Sequence, residues 1–157
     1  ANVYEEFGKI NKQNITDFSL PSVIWGIDGD WMVNYIESSY PFYATDHCGI
    51  LRINNPNILP HYFALALQVE GEYEKFSRSN RASTQRIKNL TIQIPDKKIQ
   101  KKILTMLQKF SEDIHYDRLS LSDIDKKSRK LLVSYLGDIC YENHIIAKLL
   151  RIAKNYS

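Results

Sequence analysis

Between Lys75 and Lys88 the chain gathers side chains suited to gripping anions and reading hydrogen-bonding edges. Lys75, Arg78, Arg81, Arg86 and Lys88 carry charge, and Ser77, Ser79, Asn80, Ser83, Thr84 and Gln85 supply neutral donors and acceptors. From Lys75 to Lys102 there are nine Lys or Arg residues against one acid, Asp96, although the net charge of the whole chain is only +3. Arg can fork onto a phosphate or onto O6 and N7 of guanine. Lys mainly neutralises phosphate, and Asn or Gln can pair with adenine. A solvated loop would have a similar composition, so composition alone does not separate the two. The weak global charge also leaves local clustering as the only electrostatic signal.

Other chemistries find less support in the residue pattern. Pro95-Asp96 followed by Asp125-Lys126-Lys127 mimics a nuclease signature. The second element, however, falls in a polar helical region, whereas metal-binding carboxylates converge from neighbouring strands. Asp96 reads instead as a helix N-cap. Asn54-Asn55-Pro56-Asn57 lacks the second proline and the aromatic residue of an adenine-methylating loop and reads as a turn. His47 and Cys48 are adjacent, so a strand would point them to opposite faces. Cys140 and His144 lie one helical turn apart without a second pair to complete a zinc site. No metal or cofactor is expected. Among the aromatics, Trp31 and Tyr43 stand in turn-rich segments near Asp28 and Asp46 and join the candidate binding residues. Trp25 and Tyr62 are expected in the core.

These residues need a scaffold, and its elements are spelled out in order. Residues 1–20 suggest short strands or a turn. Ser22–Trp25 reads as a buried strand, Asp28-Gly29 as a hairpin turn, and Met32–Ile36 as the returning strand. A loop over 41–47 leads to a strand at 48–53. Pro60 opens a helix over 60–69 that Gly71 is expected to end. Leu90, Ile92 and Ile94 alternate as in a strand that Pro95 stops. Behind Asp96, Ile99, Ile103, Leu107 and Phe110 mark one face of a helix over 97–115. After a polar break, Ile124, Leu131, Leu132, Tyr135 and Leu136 mark a second helix ended by Gly137. Asp138 would cap a third, with Ile139, Ile145, Ile146, Leu149, Leu150 and Ala153 on its apolar face. The expected fold is α/β: a mixed, partly antiparallel sheet containing 48–53 and 90–94, with packed helices, followed by C-terminal helices. The expected domains are 1–95 and 96–157.

At 157 residues, 43% apolar and 25% charged, the chain has the make-up of a globular domain with an accessory helical piece. Two scattered cysteines fit a reduced, cytoplasmic protein better than a disulfide scaffold. No apolar run approaches the length of a membrane span, and no signal peptide is recognised. The chain opens at Ala1 without a methionine, as an excised domain would.

The stretch from Ala82 to Ile103 resembles the closing signature of target recognition domains in the specificity subunits of type I restriction–modification systems and related fused type II enzymes. Ser83, Thr84, Gln85, Ile87, Leu90, Ile92, Ile94, Pro95, Gln100 and Ile103 match it. Asp96 and Ile99 stand where the family usually has a second proline and a glutamate. Upstream, Ile24, Trp25, Asp28 and Gly29 match an I-W-x-x-D-G turn. Tyr43, Ala44, Thr45, Asp46 and His47 match an aromatic loop before the buried Ile50 and Leu51. Ile58, Pro60, Tyr62, Phe63 and Leu67 match a helix start. In order, these span residues 24–103, about half the chain.

The resemblance implies a domain that binds double-stranded DNA through loops in the major groove and performs no catalysis itself. It implies a DNA methyltransferase subunit or domain, modifying adenine, as partner. It also implies a second recognition domain or a homodimer for the other half of a split site, with the C-terminal helices as docking surface. The candidate DNA-binding residues are then Lys75, Arg78, Asn80, Arg81, Ser83, Thr84, Gln85, Arg86, Lys88, Trp31 and Tyr43. The alternative is a helical protein-interaction or structural module without specific DNA binding.

Overall fold

The structure is a computed structural model that describes residues 8–116, with side chains described as far as Gln108. The two helices expected beyond residue 116 lie outside the described residues, as does the Phe110 side chain. The chain divides into two units between Lys97 and Lys98, and each is described by itself.

The first unit is built on a three-stranded sheet in the order β2-β1-β3. β1 (Ser22–Gly26) is central, with β2 (Val33–Ile36) and β3 (Cys48–Arg52) paired antiparallel on either side. The hairpin between β1 and β2 turns at Gly29, whose φ of 111° lies in the region that glycine enters without a side-chain clash. Val23 sits opposite Tyr35 and Leu51, and Trp25 opposite Val33 and Gly49, so these residues share one face. That face meets Ala64 and Leu67 of α1 (Pro60–Tyr73) in a core that also takes in Ile53, Phe76, Ala82 and Ile87.

Pro60 starts α1 as expected, because a first-turn residue has no intrahelical use for its N–H. The helix does not stop at Gly71, however, and runs on to Tyr73. Gly71 is buried within it because the Trp31 indole occupies the space a Cβ would take. The glycine serves close packing here instead of chain termination. Trp25 is 3% exposed and Tyr62 is fully buried, both core residues as expected. The Tyr62 hydroxyl donates to the Gln93 carbonyl at 3.1 Å, and burial pushes its pKa up to about 12.

Two local expectations need correction. Ser83 to Lys88, expected as loop, contains a short helix, α2 (Thr84–Lys88), which Ser83 caps by accepting from the Arg86 amide. Leu90–Ile94 forms no strand, and both pairings of the sheet are antiparallel. Leu90 and Ile92 do pack against the core, but Ile94 is exposed and Gln93 gives its carbonyl to a tyrosine hydroxyl. For Leu90 and Ile92 the alternating pattern marked side chains that face inward, without placing the backbone in a ladder.

The helix α3 (Lys97–Tyr116), of which all but Lys97 belongs to the second unit, begins directly after Asp96, where the sequence places its start. Ile103 and Met106 are buried along it. Among the described residues no helix is long and apolar enough to cross a membrane.

Candidate nucleic-acid interface

The basic loop is fastened to the hairpin end of the sheet, and the fastening begins with Trp25. Its ring lies over Gly49, directly opposite on β3, where a side chain would collide with it. From there the indole N–H donates to the Ala82 carbonyl at 2.9 Å, across 57 residues of sequence. The Ala82 amide in turn donates to the Ile27 carbonyl at 3.3 Å, and the Ile27 amide to the His47 carbonyl at 2.9 Å. Three segments therefore meet: the β1–β2 turn, the run into β3, and the loop after α1.

Inside the loop, Ser77 and Asn80 exchange backbone hydrogen bonds at 3.0 and 3.1 Å. The Asn80 amide group donates to the carbonyls of Glu74 and Lys75 at 2.9 and 3.1 Å. Lys75 itself adopts a positive φ of 55°, a conformation uncommon for a side-chain-bearing residue. Arg86 reaches back from α2 to Asn80 Oδ1 and, at 3.2 Å, to the Arg81 carbonyl. Its guanidinium sits 4.7 Å from the centre of the Phe76 ring, a cation–π distance. Phe76 in turn meets the Trp31 ring at a tilt of 56°, with ring centres 5.0 Å apart. Trp31 donates its indole N–H to the Gln68 carbonyl at 2.8 Å.

Arg81 makes the loop's ionic contact. Its Nε and Nη2 both face the Asp28 carboxylate, Nη2 at 2.8 Å from Oδ2. That oxygen also lies 2.6 Å from Nδ1 of His47. A carboxylate can only accept, so the hydrogen of this contact sits on Nδ1. The His47 hydrogen bond, and after it the Arg81 guanidinium, hold the Asp28 carboxyl below its ordinary pKa against the opposing effect of desolvation.

The predicted site residues thus fall into two groups. Asn80, Ser83, Arg86 and Trp31 are partly buried and have structural partners: a loop turn, a helix cap, a ring stack and a backbone carbonyl. Lys75, Arg78, Thr84, Gln85 and Lys88 are exposed, and no ion pair engages the three cations among the described residues. Arg81 is both paired and exposed. Tyr43 is 40% exposed in the segment leading to His47. The sequence reading missed Asp28 and His47 as partners of Arg81, and Phe76 as the platform for Arg86. Asp28 carried a turn signal, which was correct, but nothing local signals a partner 53 residues away.

Among the described residues no cluster of His, Cys, Asp and Glu is arranged to hold an ion. Cys48 is a half-buried thiol that donates to the Gly49 carbonyl at 3.6 Å, and burial raises its pKa.

Comparison with known proteins agrees with the sequence motifs. Residues 2–121 match the family described as type I restriction modification DNA specificity domain. The chain is 32% identical over 100 residues to the putative type I specificity subunit S.MpnORF89P of Mycoplasma pneumoniae, covering 61% of this chain and 29% of that protein. It is 30% identical over 105 residues to the putative type I specificity subunit S.MpnORF289P N-terminus of the same organism, covering 66% of this chain and 56% of that protein. The chain therefore spans well under two thirds of either relative. No solved structure matches. The family match runs across the hairpin, the basic loop and α3 alike, and the chain belongs to the type I restriction modification DNA specificity domain family.

Proposed function

We propose that this domain recognises a short sequence in duplex DNA and directs a partner DNA methyltransferase to it, contributing no bond-making chemistry of its own. The observation that carries this reading is the fastening of the basic loop. Trp25 and Asn80 bond its backbone and Asp28 holds its Arg81 side chain, while Lys75, Arg78 and Lys88 stay exposed without an ion pair among the described residues. A structurally idle loop has no need of three such restraints. A binding loop gains from them, because restraint before binding lowers the entropy lost on contact.

In this reading Lys75 and Lys88 neutralise phosphates and Arg78 and Arg81 carry the forked donors. Gln85 can pair with adenine, while Thr84 and Tyr43 add contacts at the edge. Asn80, Ser83, Arg86 and Trp31 hold these residues in place and do not reach DNA. The partner is a methyltransferase subunit that modifies adenine, and a second recognition domain or second copy covers the other half of a split site. The two relatives, named putative type I specificity subunits, support the recognition role.

The test is selection from a pool of randomised duplexes by the full chain, followed by sequencing of the bound fraction. A recognition domain enriches a defined motif. Enrichment of no motif, by the chain alone and by the chain with its methyltransferase, would overturn the reading.

A further inference from the structure

The contact between Arg81 and Asp28 uses one particular side of the guanidinium. Nε faces one carboxylate oxygen and Nη2 donates to the other at 2.8 Å, a two-point contact along the flank of the group. A guanidinium carries five N–H bonds in one plane. The contact uses one on Nε and one on Nη2, which leaves a second hydrogen on Nη2 and both on Nη1. Nη1 and Nη2 thus form an outer fork, coplanar with the first and pointing away from Asp28. Among the described residues Nη1 has no hydrogen-bond partner, and the side chain is 61% exposed.

The support behind this fork is itself fixed. Oδ2 of Asp28 takes the Nδ1 hydrogen of His47 at 2.6 Å. The backbone on both sides is tied, Ile27 to His47 at 2.9 Å and Ala82 to Ile27 at 3.3 Å. An arginine held along its flank by a fixed carboxylate loses the rotamer freedom that an exposed arginine would otherwise surrender on binding. Its charge is also matched locally, so it adds little to attraction for phosphate. What it keeps is a directed pair of donors with the spacing that fits O6 and N7 of guanine.

We propose that Arg81 reads a guanine through its outer fork and that Asp28, seated by His47, is the positioning residue that aims it. This rests on the duplex-recognition reading above. It separates Arg81 from Lys75, Arg78 and Lys88, whose charge is unmatched.

The test uses the full chain and the same randomised duplex pool, with Asp28→Asn and Arg81→Lys beside the wild type and thermal melts as a check on folding. The wild type enriches a motif containing a guanine. Asp28→Asn weakens the preference for that guanine by about 5- to 150-fold, the range of one forked contact. It also binds unrelated duplex as well as or better than the wild type, because a negative charge has been removed. A merely structural ion pair would not produce this split, since its loss weakens all sequences together. Arg81→Lys, which keeps the charge and lacks the fork, loses the same guanine. If the wild type selects a motif and both variants select it equally well, the guanine assignment is wrong while recognition stands. If the wild type selects no motif, recognition fails and the assignment falls with it.

Discussion

The indole of Trp31 lies against Gly71 so closely that a Cβ on the glycine would come well inside 3.0 Å of the ring. This contact explains why a helix containing glycine continues past it. The ring, anchored by its hydrogen bond to Gln68, packs the β1–β2 connection onto α1.

Gly71→Ala sets two effects against each other. Alanine improves helix propensity by about 1 kcal/mol. Forcing a methyl group into a filled site costs about 1–3 kcal/mol. The hydrogen-bonded ring cannot move aside without losing Gln68, so the clash should prevail, with net destabilisation of up to about 2 kcal/mol in urea unfolding. A neutral or stabilised variant would show that Trp31 yields freely.

Trp25→Phe should loosen the basic loop from a distance. It removes the side-chain donor to the Ala82 carbonyl, and leaving that acceptor short of a partner should cost about 1–3 kcal/mol. Native-state hydrogen exchange should show earlier opening at Asn80 and Ala82 than at Val23 or Ile24. Equal acceleration at all four would mean that Trp25 supports the sheet and not the loop.

How much of this was legible in the sequence depends on how local each cause is. The hairpin was legible because the apolar run Val23–Trp25 and the Asp28-Gly29 dipeptide are local signals, as is Pro60 at the start of α1. The end of α1 was not, because Gly71 answers to Trp31, forty residues upstream. Leu90–Ile94 alternates faces as a strand does, yet alternation records burial and is silent on whether a neighbouring strand accepts the backbone. In the candidate site, the residue types were legible and their division of labour was not. Arg78 and Arg86 look alike in sequence. Only packing shows that Arg86 lies over Phe76 while Arg78 faces solvent.

The Asp28 contact predicts a pH dependence with a definite sign. Its carboxyl is held below the ordinary value, first by His47 and then by Arg81. A depressed pKa in the folded state contributes stability that is fully present above the unfolded value, about 4, and is lost as pH falls through the folded value. The melting-temperature difference between wild type and Asp28→Asn should therefore stay steady above the carboxylate range and shrink below it. A difference undiminished in acid would show that the contact does not depend on ionisation.

If the domain binds duplex DNA as proposed, the exposed cations of the fastened loop meet its backbone. The most direct test is the salt dependence of duplex affinity for the full chain, compared with a variant in which Lys75, Arg78 and Lys88 are all alanine. Each phosphate contact contributes about 0.9 to the slope of log affinity against log salt concentration. The variant should lose between about one and three units of that slope while melting as the wild type does. Equal slopes for the two proteins would contradict the account and place the DNA-binding surface elsewhere.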